Sequence, residues 1–280
     1  MIPTIEQLGF RDGPALRSLL ARDAAHNLYL LGLMEEFGVV PRSRGAGFAF
    51  YGRFTGDREL TAAVFVGGDG GLVIPSSSDE EHLAAIGEHL TGRVHLRAAL
   101  GGKAGVDALV RLLGPQKPRT SKGQRLFSVS PDDLGPFTNP TLRLATEADL
   151  AELLPMAAGA MKESLDRDPL GEDPEGFTAR VQQRIRGRRT YVLEVGGRLV
   201  FKIDVGSRSQ QGAELEGLYT VPEERKKGHA TLSLGQLSRH LLSSLPRLAL
   251  RVDETQTSLA GVARKVGYVP GKVQRLVLAE

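Results

Sequence analysis

The sequence predicts an α/β protein built from two related halves, each a mixed, mostly antiparallel sheet flanked by helices. Two observations lead to this fold class. Short apolar runs of strand length alternate with segments of helical periodicity, and the order of these segments in the first half returns in the second. The composition, with 41% hydrophobic and 25% charged residues, is ordinary for a soluble globular protein.

The start of the chain recurs after a proline-rich segment. The sequence Pro-Thr-Ile at residues 3–5 is matched by Pro-Thr-Leu at residues 140–142, and the polar and apolar positions that follow keep the same offset. In both copies a short strand leads through a polar turn into a helix. Residues 131–140 contain three prolines and a glycine, which is typical of a linker. The sequence therefore predicts one domain at residues 1–130 and a second at residues 141–280.

Each half then contains a hairpin and a strand that ends at a proline. Residues 54–66 and 191–205 both show two strand-like runs about a glycine-containing turn. Residues 72–75 and 218–222 are further strand-like runs that end in proline, and helical periodicity follows both. This common order of elements supports two copies of one fold.

A basic turn in the second half is the most informative stretch of the chain. It follows a strand-like run at residues 215–221, and leucines at helical spacing come after it. A helix N-terminus presents unpaired N–H groups and a positive dipole end, which suit an anion. The pattern predicts a pyrophosphate-binding turn, the alternative being a solvated basic turn. Its residues are Arg225, Lys226, Lys227, Gly228, His229 and Ala230.

This turn resembles the acetyl-CoA-binding signature of the GCN5-related N-acetyltransferases (GNAT), Arg/Gln-x-x-Gly-x-Gly/Ala. The strand at residues 248–252, the helix after it and the pair Gly267-Tyr268 resemble the closing elements of that family. The whole chain resembles tandem members in which a degenerate N-terminal copy precedes an active one. The resemblance implies a sheet splayed open beside residues 214–221. It implies acetyl-CoA contacts from Leu218, Tyr219, Thr220, Arg225, Lys226, Lys227, Gly228, His229, Ala230 and Thr231.

The same resemblance implies transfer of an acetyl group from acetyl-CoA to an amine by direct attack in a ternary complex. The acceptor is a small amine or a protein amino group, and the sequence does not identify it. Such a reaction needs a base for the amine, a donor for the oxyanion and a proton for the thiolate. Glu216 is the predicted base, with Glu214 on the same strand face as second candidate. The resemblance implies that a backbone N–H near Leu218 to Tyr219 is the oxyanion donor.

The general acid is an open question. Many relatives carry a tyrosine four residues before the glycine of the closing strand, where this chain has Ala263. Tyr219 is the predicted catalytic substitute, and Ser258 or solvent are the alternatives. A missing acid costs about 10²–10⁴-fold in rate, which does not abolish activity. The alternative function is a non-catalytic acyl-CoA-binding regulatory module.

The first half carries no comparable basic turn. At the equivalent place, residues 76–81, it has three carboxylates, at Asp79, Glu80 and Glu81. A pyrophosphate there would meet like charge at a cost of a few kcal/mol per close pair, for an effective dielectric constant of about 20. We therefore expect one acetyl-CoA per chain, bound by the second half.

Composition excludes several other functions. The chain has no cysteine, so it forms no disulfide, thiolate metal site or cysteine nucleophile. His82 and His89 are seven residues apart without a third ligand, so no metal is predicted. A net charge of +3, no Trp and 5% aromatic residues disfavour nucleic-acid binding. No apolar run is long enough to span a bilayer and no signal peptide is visible, which predicts a cytoplasmic protein. A homodimer is left open.

Overall fold

The computed structural model divides the chain into two compact units, Met1–Leu126 with Gly271–Glu280 and Phe127–Pro270. The residues that the structure describes are 3–41, 47–68, 71–77, 79–115 and 117–279. Both units contain a sheet with helices packed against it, as the sequence predicts.

The first half of the chain alternates strands and helices in the expected order. Its elements are β1 (Thr4–Gln7), α1 (Gly13–Ala21), α2 (Ala24–Phe37), β2 (Ala49–Phe54), β3 (Leu60–Gly67), β4 (Leu72–Ser76), α3 (Glu80–Leu90), β5 (Ala98–Gly102), α4 (Lys103–Leu113) and β6 (Thr120–Val129). The hairpin predicted at residues 54–66 is β2–β3, which pair in antiparallel fashion.

The second half repeats this order, with one short additional helix. Its elements are β7 (Arg143–Leu144), α5 (Leu150–Leu165), α6 (Pro169–Glu172), α7 (Pro174–Arg186), β8 (Thr190–Val195), β9 (Arg198–Ser209), β10 (Gly212–Thr220), α8 (His229–Leu242), β11 (Leu248–Asp253), α9 (Thr257–Val266) and β12 (Val269–Leu278). The predicted repetition of one fold is confirmed by this order.

The sheet of each unit is mixed and mostly antiparallel, which confirms the predicted fold class. In the first unit the strand order is β1-β2-β3-β4-β5-β12, and only β4 and β5 run parallel. In the second it is β6-β11-β10-β9-β8-β7, with β10 and β11 parallel. A parallel pair needs a crossover connection, and α3 and α8 supply it.

The unit boundaries fall inside two strands. Residues 127–129 of β6 belong to the second unit and residues 271–278 of β12 belong to the first, where β12 pairs with β5. The segment 131–140, predicted as a linker, packs within the second unit. The Gly135 N–H donates to the carbonyl of Val266 at 2.8 Å, and two apolar side chains of the segment, Leu134 and Phe137, pack against the core.

Two apolar clusters fill the second unit, one on each face of its sheet. The first packs leucines of α8 against β10 and β11, and the second packs α5 and α7 against β8 and β9. Because helices cover both faces, β9 is buried along almost its whole length. Two of its buried residues, Lys202 and Asp204, are nevertheless charged.

Candidate functional site

The sheet of the second unit opens beside β10, as predicted. Strand β10 pairs with β11 only over Ala213–Leu215, opposite Leu248–Leu250. It then continues to Thr220 paired with β9 alone in the described chain. From Glu216 onward, the edge of β10 that faces away from β9 is therefore available to a ligand, in the manner of strand addition.

A bulge at Gly217 marks the place where the two strands separate. The β9–β10 register shifts by one residue between Glu216 and Tyr219, and Gly217 has a φ of +59°. A Cβ at this position would lie 2.6 Å from Oδ2 of Asp204 and 2.9 Å from Nζ of Lys202. Both the backbone conformation and the space therefore require glycine here.

The basic turn leads into the N-terminus of α8, as the sequence predicts. After β10, a single 3₁₀ turn spans Pro222–Glu224, and α8 begins at His229. Gly228 precedes it with a φ of +89°, no atom lies within 4 Å of where its Cβ would be, and no side chain caps the helix. The first-turn N–H groups of α8 have no intrahelical acceptor, so they can bind an anion.

The cations of the turn differ in their environments. Nη2 of Arg225 lies 2.6 Å from Glu163 of α5, which raises the pKa of the guanidinium. Lys227 and His229 contact the carboxylate of Glu224 at 2.8 and 3.0 Å. Lys226 is exposed and forms no ion pair with any residue that the structure describes.

Glu214 is a buried carboxyl group at the start of the open segment. Its side chain is 3% exposed, and Oε1 lies 2.7 Å from Nη1 of Arg251 on β11. Oε2 is buried and has no hydrogen-bond partner. Burial raises the pKa of Glu214 to about 7, against the opposing effect of Arg251 and with a further increase from Glu216.

Glu216, the predicted base, already has a cationic partner. One carboxylate oxygen lies 2.5 Å from Nη2 of Arg184 on α7. The side chain is packed over Gly206, where a Cβ would come within 2.6 Å of the carboxyl carbon. Of the two glutamates on β10, Glu214 is the one with a buried oxygen that has no hydrogen-bond partner.

The predicted acid, Tyr219, packs against α5. A Cβ on Gly159 would lie 2.7 Å from the phenol oxygen, and the guanidinium of Arg225 lies 5.3 Å from the ring centre. Burial, followed by the charge of Glu163, raises the pKa of Tyr219. Leu218 packs on the other side of the sheet, among the residues of the α8 cluster.

The alternatives for the acid are placed differently. Ala263 of α9 is fully buried in the core, and Ser258 is exposed in the first turn of the same helix. Tyr268 is also buried, and its hydroxyl shares a 2.7 Å hydrogen bond with Ser238. Burial raises the pKa of Tyr268.

Comparison with known proteins agrees with this geometry. Among solved structures, a Drosophila protein matches with a TM-score of 0.69 at 17% identity, covering 98% of both chains. A GNAT-family acetyltransferase from Colwellia psychrerythraea matches over 98% of this chain and 99% of its own, with a TM-score of 0.56 and 12% identity. A tandem GNAT protein from the clavulanic acid biosynthesis pathway covers 99% of both chains, with a TM-score of 0.55 and 13% identity.

The chain has the GNAT fold. The resemblance inferred from the basic turn is thus confirmed at the level of the fold. No family model and no curated protein matches the sequence.

Several polar residues near the opening of this GNAT fold escaped the sequence analysis. The side chains are those of Lys202, Asp204 and Arg251. A signal existed for two of them, because Lys202 and Asp204 interrupt the apolar run of β9 on one strand face. The partners across the sheet depend on the bulge register, which a sequence pattern does not specify.

The corresponding helix of the first unit has a different N-terminus. The carboxylate of Asp79 caps α3 by accepting the N–H groups of Glu81 and His82, at 2.9 and 3.2 Å. Pro75, at the end of β4, contacts the position where Gly101 would carry a Cβ. Of the acidic segment 76–81, Ser78 lies outside the described residues.

Two kinds of feature are absent from the residues that the structure describes. No group of three or more His, Cys, Asp or Glu side chains has an arrangement able to hold a metal ion. None of the helices is long and apolar enough to cross a membrane.

Proposed function

We propose that the second unit binds acetyl-CoA and transfers its acetyl group to an amine, either a small molecule or a protein amino group. The observation that carries this proposal is the continuity between two features. The unpaired edge of β10 leads directly into the uncapped N-terminus of α8. A ligand with an extended arm that ends in a pyrophosphate fits this arrangement, with the arm along the edge of β10 and the pyrophosphate at the N-terminus of α8. The first unit is proposed to be a degenerate copy, and the protein to act in the cytoplasm.

The residues present fit acetyl-CoA. The backbone of β10 from Leu218 to Thr220 offers polar groups to the pantetheine amides. The N–H groups of the first turn of α8, together with the exposed ammonium of Lys226, offer a site for the pyrophosphate. The open space around Gly228 leaves room for the phosphate oxygens. The bound molecule supplies an acetyl group activated as a thioester.

Three groups of the chain are proposed to assist the transfer. The carboxylate of Glu214, with its unpartnered Oε2, accepts the proton of the attacking amine directly or through water. Glu216 is the second candidate for this role, although Arg184 already engages it. The N–H of Leu218 donates to the developing oxyanion. Tyr219 donates a proton to the leaving thiolate.

The test of binding is calorimetry with acetyl-CoA on the wild type and on Gly228→Glu. The substitution puts a negative charge where the pyrophosphate is proposed to lie, so binding should be lost. Gly197→Glu is a matched control, because Gly197 is also an exposed glycine with positive φ and no atom within 4 Å of its Cβ position. It lies in the β8–β9 turn and should leave the affinity unchanged. Equal affinity of wild type and Gly228→Glu would refute the proposal.

The test of catalysis is release of free thiol from acetyl-CoA in the presence of a panel of amines. Amine-dependent release supports a transferase. Binding without release for any amine would favour the regulatory alternative, in which the acyl-CoA is a signal.

A further inference from the structure

A buried lysine contacts the bulge at the opening of the sheet. Lys202 of β9 is 3% exposed, and its ammonium donates to Oδ2 of Asp204 at 2.7 Å and to the carbonyl of Gly217 at 2.8 Å. Asp204 also accepts from the hydroxyl of Thr190 at 2.7 Å and from Arg184 at 3.2 Å. The lysine is thus the link between this polar cluster and the backbone of β10.

Stability alone does not account for a charged pair at this depth. Removing two charges from water is costly, and apolar residues of similar volume are often as stabilising as a buried ion pair. Asp204 retains two other donors without the lysine. In the described chain, no neighbouring side chain replaces the hydrogen bond from Lys202 to the carbonyl of Gly217. That bond is the distinctive contribution of Lys202.

The direction of the bond determines the direction of the next N–H group. The peptide between Gly217 and Leu218 is planar and trans, so the N–H of Leu218 points opposite to the carbonyl of Gly217. The carbonyl is held toward Lys202, which lies on β9. The N–H of Leu218 therefore points away from the ammonium of Lys202, in the part of β10 where β11 has separated from it.

We propose that Lys202 is a positioning residue: by holding the carbonyl of Gly217, it directs the N–H of Leu218 into the opening between β10 and β11, where an oxyanion would form. Glycine at position 217 allows the positive φ that the arrangement needs. This inference rests on the proposed acetyl transfer. Its structural part, the orientation of one peptide, stands independently of turnover.

The experiment compares Lys202→Met with Thr190→Val. The first keeps the length of the side chain and removes the ammonium. The second removes another buried hydrogen bond of the same cluster without touching Gly217. For Lys202→Met we expect kcat to fall about tenfold to a hundredfold, given that loss of one oxyanion donor costs about 10²–10³-fold. The affinity for acetyl-CoA by calorimetry should change less than threefold in both variants, and kcat of Thr190→Val should stay near that of the wild type.

A second readout is the amide resonance of Leu218 in the ligand-free protein. It should move in Lys202→Met by more than in Thr190→Val. If Lys202→Met does not fold, the double variant Lys202→Met/Asp204→Asn takes its place. It removes both charges and leaves no uncompensated carboxylate, and the same outcomes are expected for it. Unchanged kcat and an unmoved Leu218 amide would overturn the proposal, as would an equal loss of kcat in Thr190→Val. If the wild type transfers acetyl to no amine, the proposed function fails, and the amide alone decides the role of Lys202.

Discussion

Glu214 has the most unusual environment of the titratable groups at the site. It lies opposite Ala249, one residue before the last pair of β10 and β11, and burial raises its pKa to about 7. A base with a pKa near the working pH combines a useful fraction of the charged form with enough basicity to accept a proton. Arg251 stabilises the carboxylate once it has formed.

The pH dependence of activity should follow this carboxyl group. The pKa of Glu214 is raised to about 7, so the group is protonated below that pH and able to act as a base above it. We expect kcat/KM to rise with pH through about 7, and Glu214→Gln to lower kcat by about 10²–10⁴-fold. Glu216→Gln is the matched comparison on the same strand. A larger loss in Glu216→Gln would assign the base to Glu216 instead.

The same shift predicts a pH dependence of stability. A carboxyl group whose pKa is higher in the folded than in the unfolded state stabilises the folded protein at low pH, and this contribution is lost as pH rises. For Glu214 the loss falls between about pH 4.5 and pH 7. In urea unfolding experiments, the free energy of unfolding of the wild type should decrease across this range relative to that of Glu214→Gln. If the free energy of unfolding of the two proteins changes with pH in the same way, this result would contradict the inference that Glu214 is buried and neutral.

The role of Tyr219 as the proton donor can be tested by removing its hydroxyl group and by displacing its phenol ring. A raised pKa keeps the phenol protonated at neutral pH, which is the form that a proton donor needs. We expect Tyr219→Phe to lower kcat by about 10²-fold with little change in acetyl-CoA affinity. Gly159→Ala should also lower kcat, because its Cβ would displace the phenol. If Tyr219→Phe transfers acetyl at the wild-type rate, solvent or Ser258 becomes the proton source.

At the scale of elements, the N-termini of α3 and α8 explain why the two copies differ. In α3 the carboxylate of Asp79 occupies the N–H groups that an anion would need, whereas Gly228 leaves those of α8 open. A helix end can bind its own cap or an external anion. The N–H groups of α3 bind a cap, whereas those of α8 are available to an anion.

The cap of α3 should contribute measurably to stability. Asp79→Ala removes the acceptor of two backbone N–H groups, so we expect a loss of about 1 kcal/mol in the free energy of unfolding. Asp79→Asn keeps a capping oxygen and should retain most of the stability. Glu80→Ala removes a neighbouring charge that does not cap the helix. Urea unfolding measures all three, and equal stabilities of Asp79→Ala and Asp79→Asn would argue against the cap.

The elements were largely predictable from the sequence, whereas their partners were not. The strand, turn and helix around residues 215–242 were predicted because apolar spacing, Pro222 and Gly228 act locally. The buried pair Lys202–Asp204 and the ion pair of Glu214 with Arg251 were missed, since they depend on contacts across strands. The alternation of side chains along a strand identifies the sheet face that a residue occupies. It does not specify which residue of the neighbouring strand lies beside it.

At the scale of the whole molecule, the boundaries follow long-range pairing. The sequence repeat places residues 141–280 together, whereas in the structure residues 271–280 belong to the first unit, where residues 274–278 pair with β5. An alternating strand such as β12 fits more than one sheet edge. Which edge it joins is decided by the folded chain as a whole, and a local pattern carries no information about that choice.

The two copies lead to a prediction of stoichiometry. Because Asp79 caps α3 and the following residues are acidic, we expect one acetyl-CoA per chain, bound by the second unit. Calorimetry should give a stoichiometry near one, and Gly228→Glu should show no binding at all. A value near two for the wild type that falls to one in Gly228→Glu would place a working site in the first unit.

The return of β12 to the first unit has a consequence for biosynthesis. Arg275 of β12 donates to Asp107, 168 residues earlier, and the residues of the second unit lie between them in the chain. A ribosome makes the first unit's N-terminal part first and its closing strand last. Until β12 has been made, the edge of β5 is without its partner, and unpaired edges favour aggregation. The first unit is therefore completed only after the second unit has been translated.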